Sequence, residues 1–139
     1  MKTIITTFIF SIVTLIASAQ LSNGDKVFLQ FQDTEGEVNV DGNDACEMLK
    51  SYIDGKTSLN IVESQSESKY TFVLYVIEKN MGDRKGKIDV LESTSKKIIF
   101  ESKWKRGTMN ALYGYSGSRH AIGRVFKGQV LKAFKQIKK

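Results

Sequence analysis

The nine residues Tyr70–Glu78 (YTFVLYVIE) limit the possible folds more than any other stretch of this chain. Their side chains are apolar on both sides of an extended backbone and rich in β-branched and aromatic types, which predicts a central strand. A central strand needs neighbours, and four further segments supply them. Residues 26–32 alternate, with Val27, Leu29 and Phe31 on one side and Phe28, Gln30 and Gln32 on the other, the period of a strand with one buried face. Residues 58–62 read as a short strand. In residues 87–92, Ile88 and Val90 alternate with Lys87 and Asp89, and in residues 97–104, Ile98, Phe100 and Trp104 share a face opposite Glu101 and Lys103. Glycine-bearing polar stretches at 33–43, 79–86 and 105–118 read as loops.

Two segments carry helical rather than strand periodicity. From Asp44, the apolar residues Ala45, Met48, Leu49, Tyr52 and Ile53 lie on one stripe. Asp44 with Glu47 resembles a capping box, with Asp41 or Asn43 as alternative caps, and Gly55 is expected to end the helix in a left-handed conformation. A last helix is predicted from near Ser118, its stripe built from Ala121, Ile122, Val125, Phe126, Val130, Ala133, Phe134 and Ile137, with lysines in the final turn. The order β-α-β-β-β-β-α predicts a single α+β domain, a mixed sheet with both helices packed on one face. A chain of 139 residues has room for one such domain and not for two ordinary ones.

The first 19 residues read differently. Lys2 precedes an apolar stretch over residues 4–17, and Ala17-Ser18-Ala19 stands before Gln20, the order of a secretory signal with its small-residue cleavage site. The stretch is short for a membrane span and is interrupted by Thr6, Thr7, Ser11 and Thr14. Residues 1–19 are therefore assigned as a signal peptide and 20–139 as the mature domain, with no transmembrane segment after cleavage and a periplasmic or secreted location. Glutamine, not cysteine, follows the cut, so lipidation is not expected. Export argues against nucleic acid as a partner despite the net charge of +6.

The residue inventory removes most site chemistry. One cysteine and one histidine leave no disulfide framework and no zinc cluster, so no metal and no cofactor is expected. Gly114-Tyr115-Ser116-Gly117-Ser118 approaches a nucleophile elbow, but Ser118 stands where the motif needs its second glycine, and His120 lies on the helix start. The same glycines before a helix N-terminus offer either an anion cradle beside Arg119 and Arg124 or ordinary capping. Asp41-Gly42-Asn43-Asp44 would fail as a calcium loop because Ala45 and Cys46 fill its fifth and sixth positions. Cys46, placed sideways on the first helix, reads as buried filler, with a redox or dimerising thiol as the alternative.

A resemblance enters with the strand residues Tyr70 to Ile77, the hairpin into Gly86-Lys87-Ile88-Asp89-Val90, then Lys97-Ile98-Ile99-Phe100 and the closing helix. That succession resembles the amino-terminal domain of TolB and its relatives, which include CsgG and LpoB, over most of residues 26–137. The resemblance implies an envelope domain that binds other proteins and brings no catalytic residues. The chain departs from the group in lacking a propeller and a lipid-accepting cysteine.

Charge is distributed unevenly. Residues 20–95 hold 8 Lys/Arg and 14 Asp/Glu, net −6, whereas residues 96–139 hold 12 Lys/Arg and a single acid, Glu101, net +11. Either the basic end faces an anionic partner, or it packs on the acidic first helix and is neutralised there. The expected function is a non-catalytic, exported binding or assembly domain that contacts an envelope protein or an anionic envelope component. Its expected recognition residues are Trp104, Arg106, Tyr113, Tyr115, Arg119 and Arg124, because aromatic and arginine side chains anchor interfaces. Tyr113 and Tyr115 could equally fold back on the sheet. The alternatives are a small envelope hydrolase converging Ser116, His120 and a carboxylate, or a small-ligand carrier; the sequence leaves the oligomeric state open.

Overall fold

The sheet is built around Tyr70–Glu78. In the computed structural model, which describes residues 20–80 and 83–139, this strand (β3) pairs in parallel with β1 (Lys26–Phe31) and antiparallel with β4 (Arg84–Glu92). β2 (Asn60–Ile61) lies outside β1 in parallel register, and β5 (Ile98–Glu101) and β6 (Lys105–Gly107) both pair antiparallel with β4. The mixed sheet thus has six strands in one α+β domain, one strand more than the periodicity predicts. The expected signal peptide lies outside the described residues. Among the described residues, no helix is long and apolar enough to cross a membrane.

Both helical segments cover the same side of the sheet. α1 (Asn43–Lys56) buries Ala45, Leu49 and Ile53, and α2 (Gly117–Val125) buries Ala121, Ile122 and Val125. They meet Val27, Phe72, Leu74, Val76, Ile88 and Val90, the side chains that β1, β3 and β4 point toward them. Leu21 is fully buried in that core as well, and its carbonyl accepts from Gln136 Nε2 at 2.6 Å.

The differences from the sequence reading have local causes. Gly55 lies inside α1 and does not adopt a left-handed conformation; Thr57, extended, closes the helix through its amide to the Ile53 carbonyl. The start of α1 uses no Asp44–Glu47 box: Asp41 Oδ1 accepts from the Asn43 amide at 2.8 Å, and Gly42 stands at the cap position. Gly86 and Gly107, read as loop residues, sit in strands β4 and β6 against α2, where a Cβ on Gly86 would press on the Ala121 and Ile122 side chains at 3.0 and 3.2 Å. A Cβ on Gly107 would come within 2.1 Å of the Gly117 carbonyl oxygen. Ile98, Phe100 and Trp104 do not share a face. The register of β4 with β5 shifts at Val90/Leu91, which leaves Ile99 as the extra residue and turns Ile98 outward. Phe100 then meets Phe134 edge-on at 5.5 Å, while Trp104 lies over Tyr75 at 6.3 Å on the other side of the sheet.

The last helix departs from regular geometry in its middle. α2 runs into a π-helical turn, Phe126–Val130, and then a short α3, Leu131–Ala133. A π turn inserts one extra residue, so the apolar stripe moves by one position: Leu131 is buried and Ala133, expected on the stripe, is exposed.

Tyr75, Lys87, Asp89 and Trp104 cluster on the side of the sheet away from the helices. Asp89 is buried, with Lys87 Nζ at 3.4 Å, and Lys87 is held also by Glu101 at 2.6 Å. Burial pushes the Asp89 carboxyl above its ordinary value of 3.8, against the pull of the Lys87 ammonium. The folded chain therefore binds this proton more tightly than the unfolded chain, and the resulting stability is complete below about 3.8 and lost as pH rises through the raised value. Asp89→Asn is expected to melt higher than the parent at neutral pH, with the gap closing as pH falls toward that range. A parent that instead gains stability as pH rises from 4 to 7, relative to the Asn variant, would reverse the assignment.

Candidate functional site

Six residues were expected to form one recognition surface, and the structure disperses them. Trp104 lies on the helix-free side of the sheet. Arg106 pairs with Asp83 beside the β3–β4 hairpin. Arg119 reaches α1, with Glu47 Oε2 at 2.9 Å and Asp44 Oδ1 at 3.6 Å, so here the charges of the two helices neutralise each other. Tyr115 is exposed in a left-handed conformation, φ +59°. Tyr113 folds back onto α2, its ring 4.8 Å from that of His120 and its hydroxyl 3.0 Å from Lys127 Nζ. Arg124 donates to the Arg106 carbonyl at 2.7 Å and leaves the rest of its guanidinium toward solvent.

The segment before α2 caps that helix. Ser116 Oγ accepts from the Arg119 amide at 3.2 Å and donates to Asp44 Oδ2 at 2.9 Å. The cleft here is lined by Asp41 and Asp44, so carboxylates of the protein itself stand where an anion cradle would need an empty, positive pocket. The hydrolase constellation does not assemble either. His120 Nδ1 accepts from the Thr108 amide at 2.9 Å, and Ser116 bonds to Asp44 rather than to the imidazole. Among the described residues no cluster of His, Cys, Asp and Glu is placed to hold a metal. Cys46 is half-buried, and burial followed by the nearby Asp41 carboxylate raises its thiol pKa, which lowers the fraction of reactive thiolate.

Five further cations converge elsewhere. Lys103, Lys105, Arg124, Lys127 and Lys132 line one surface cleft together with Gly128 and Gln129, and no carboxylate is among the lining residues. None of the ion pairs among the described residues involves any of these five. Two features hold the cleft in shape. The Gln129 side chain accepts from the Lys103 amide at 2.7 Å and donates to the Lys103 carbonyl at 3.1 Å, which ties the π turn to the segment between β5 and β6. Lys127 lies 5.4 Å over the Tyr52 ring and 5.5 Å over that of Tyr113, and Tyr52 in turn stacks on the buried Phe126 at 5.7 Å. Its hydrogen bond to Tyr113 is the main reason that the tyrosine hydroxyl titrates below its ordinary range and the lysine above its own.

The π turn also explains why the cleft was not visible in the sequence. In a regular helix each residue turns about 100°, so Lys132 would stand roughly 80° round the axis from Arg124. The one residue inserted by the turn takes back about 100° and brings the two nearly into line. Of the expected recognition residues only Arg124 lines this cleft, and Tyr113 touches its Lys127. Lys105 and Lys127 are legible in the sequence as cations flanking the glycine- and tyrosine-rich loop, whereas Lys103 and Lys132 went unrecognised, and the available signal for them was the excess of lysine after residue 96.

Fold and cleft together define a small α+β domain with an un-neutralised basic surface. No protein-family pattern matches the chain, and no curated protein matches it. Among solved structures, a dodecameric PelC variant from Paraburkholderia phytofirmans is similar to it, with 13% identity, 78% of this chain and 89% of that chain covered, and a TM-score of 0.46.

Proposed function

We propose that the protein is a non-catalytic, exported binding domain of the cell envelope that holds an anionic partner in the cleft of Lys103, Lys105, Arg124, Lys127 and Lys132. The observation that supports this reading is the convergence of five cations with no Asp or Glu among them, in a chain whose first half is rich in acids that lie elsewhere. Opposite charge a few ångströms away would remove the attraction, as it does at Arg119. The signal-like residues before Gln20 supply the export part of the proposal, and the resemblance to envelope domains agrees with it.

Inorganic polyphosphate is a suitable first probe because it carries charge and no other recognition chemistry. The exported chain is expected to bind it at low salt and to release it as salt rises, since screening acts over about 8 Å at physiological ionic strength. Replacing Lys103, Arg124 and Lys132 together by glutamine should weaken binding about tenfold or more, equivalent to about 1.4 kcal/mol, with little change in melting temperature, because these side chains form no ion pairs and only the exposed hydrogen bond from Arg124 to the Arg106 carbonyl is lost. Equal binding by the variant and the parent would remove the cleft from the reading.

A further inference from the structure

We infer that the anionic partner is a membrane surface containing anionic lipids, to which the protein docks from the aqueous side. The inference rests on the reading of the basic cleft and adds two observations to it. The first is that the basic surface does not stop at the cleft. A second depression, lined by Lys56, Lys138 and Lys139 together with Gly55 and Leu131, shares Lys127 with the first. Its lining residues include no Asp or Glu. Cations brought from the end of α1, the β5–β6 segment, the π turn and the chain end form one extended field, which is the form of a surface that meets many charges at once.

The second observation is apolar. The loop between β6 and α2 exposes Met109 (63%), Leu112 (92%) and Tyr115 (69%). Single exposed apolar residues are ordinary on a protein surface, but three within one short loop make a patch. The loop presents them from a fixed base. Tyr113 is clamped by Lys127 and His120, and the Tyr113 and Tyr115 amides both donate to the Asn110 carbonyl, at 3.2 and 2.8 Å. The Thr108 amide is bonded to His120. Leu112 is thus exposed next to an anchored neighbour, and the anchoring contact is with Lys127, the residue common to both basic depressions.

A soluble polyanion would use the cations and gain nothing from Leu112 or Met109. An anionic bilayer uses both kinds of side chain, because lysines meet the headgroup phosphates while apolar side chains enter the boundary of the acyl layer. Met109 and Tyr115 border the cleft of Asp41, Asp44 and Arg84 on one side, and the loop is tied to the basic field on the other through Tyr113 and Lys127; an apolar tip joined to that field favours lipid over a free polymer.

The test uses the full exported chain with two probes: sedimentation with vesicles of phosphatidylglycerol and phosphatidylcholine or of phosphatidylcholine alone, and titration with polyphosphate. The parent is expected to sediment with the anionic vesicles only. Met109→Ser with Leu112→Ser, both at exposed positions, should lose vesicle binding about tenfold and keep both its melting temperature and its affinity for polyphosphate. Lys103→Gln with Arg124→Gln and Lys132→Gln should lose both. A parent that binds polyphosphate but not the anionic vesicles, or a serine variant that sediments like the parent, would overturn the membrane inference while leaving the basic-cleft reading in place, with a soluble polyanion as partner. A parent that binds neither probe would overturn both.

Discussion

Gly107→Ala is expected to lower stability by about 3 kcal/mol or more. The substitution adds one methyl group to a chain of 139 residues, and the methyl has nowhere to go. Its Cβ would stand 2.1 Å from the Gly117 carbonyl oxygen, 2.4 Å from the Ala121 nitrogen and 2.8 Å from the Ala121 Cβ. Two of those three atoms are backbone, so no rotamer change relieves the contact. Either β6 leaves β4, to which it is paired through Gly107 and Arg84, or α2 lifts off the sheet and uncovers Ile122 and Val125. Both responses expose apolar surface at about 25 cal/mol per Å². A fall in melting temperature of roughly 10 °C is expected for a domain of this size. Gly128→Ala, in the π turn that follows α2, is the control, since a Cβ there meets nothing within 4 Å. It should leave stability unchanged or raise it by about 0.5–1 kcal/mol through the loss of glycine's freedom in the unfolded chain. Equal melting of the two variants would show that β6 and α2 do not touch as described.

Gly107, together with Gly86, also shows where the sequence stops being readable. The central strand and the first helix were legible because burial imposes a period on them: Phe72, Leu74 and Val76 on one side of β3, and Ala45, Leu49 and Ile53 along α1. Glycine carries no such period. At Gly86 and Gly107 it marks a helix lying against a strand, and at 33–43 it marks a loop, and the same letter serves both. The break in β5 had no signal either, because an Ile-Ile-Phe run reads equally well with or without a bulge at Ile99. In the candidate site the excess of cations was plain, but their partners were not. Arg119 meets Glu47 across 72 positions of sequence, a pairing fixed only when α1 and α2 pack side by side. Lys132 joins Arg124 because of a π turn that the apolar pattern does not announce. Trp104 was drawn to the same surface by its residue type and lies on the other side of the sheet.

Phe126→Ala is expected to have the second large effect, and it reaches from the core to the cleft. Phe126 is fully buried at the first position of the π turn, and truncation of a buried phenylalanine costs about 3–5 kcal/mol through lost transfer energy and the cavity that remains. Its ring also supports the functional surface. Tyr52 stacks on it at an interplanar angle of 12°, and Lys127 rests on Tyr52 and bonds to Tyr113. Without the ring beneath it, Tyr52 can tilt into the cavity, and Lys127 loses one of the two faces that hold it. The tyrosine titration reports this step separately from global stability. Tyr113 is held below its ordinary value chiefly by Lys127, so loosening that lysine should move its titration upward, read by ultraviolet absorbance well below the melting temperature. Phe126→Leu keeps most of the volume and loses the stack. It should cost less stability than the alanine variant and still raise the Tyr113 value and weaken polyphosphate binding. If the leucine variant binds and titrates like the parent, Phe126 acts in the core alone and the shape of the cleft does not depend on the stack beneath Lys127.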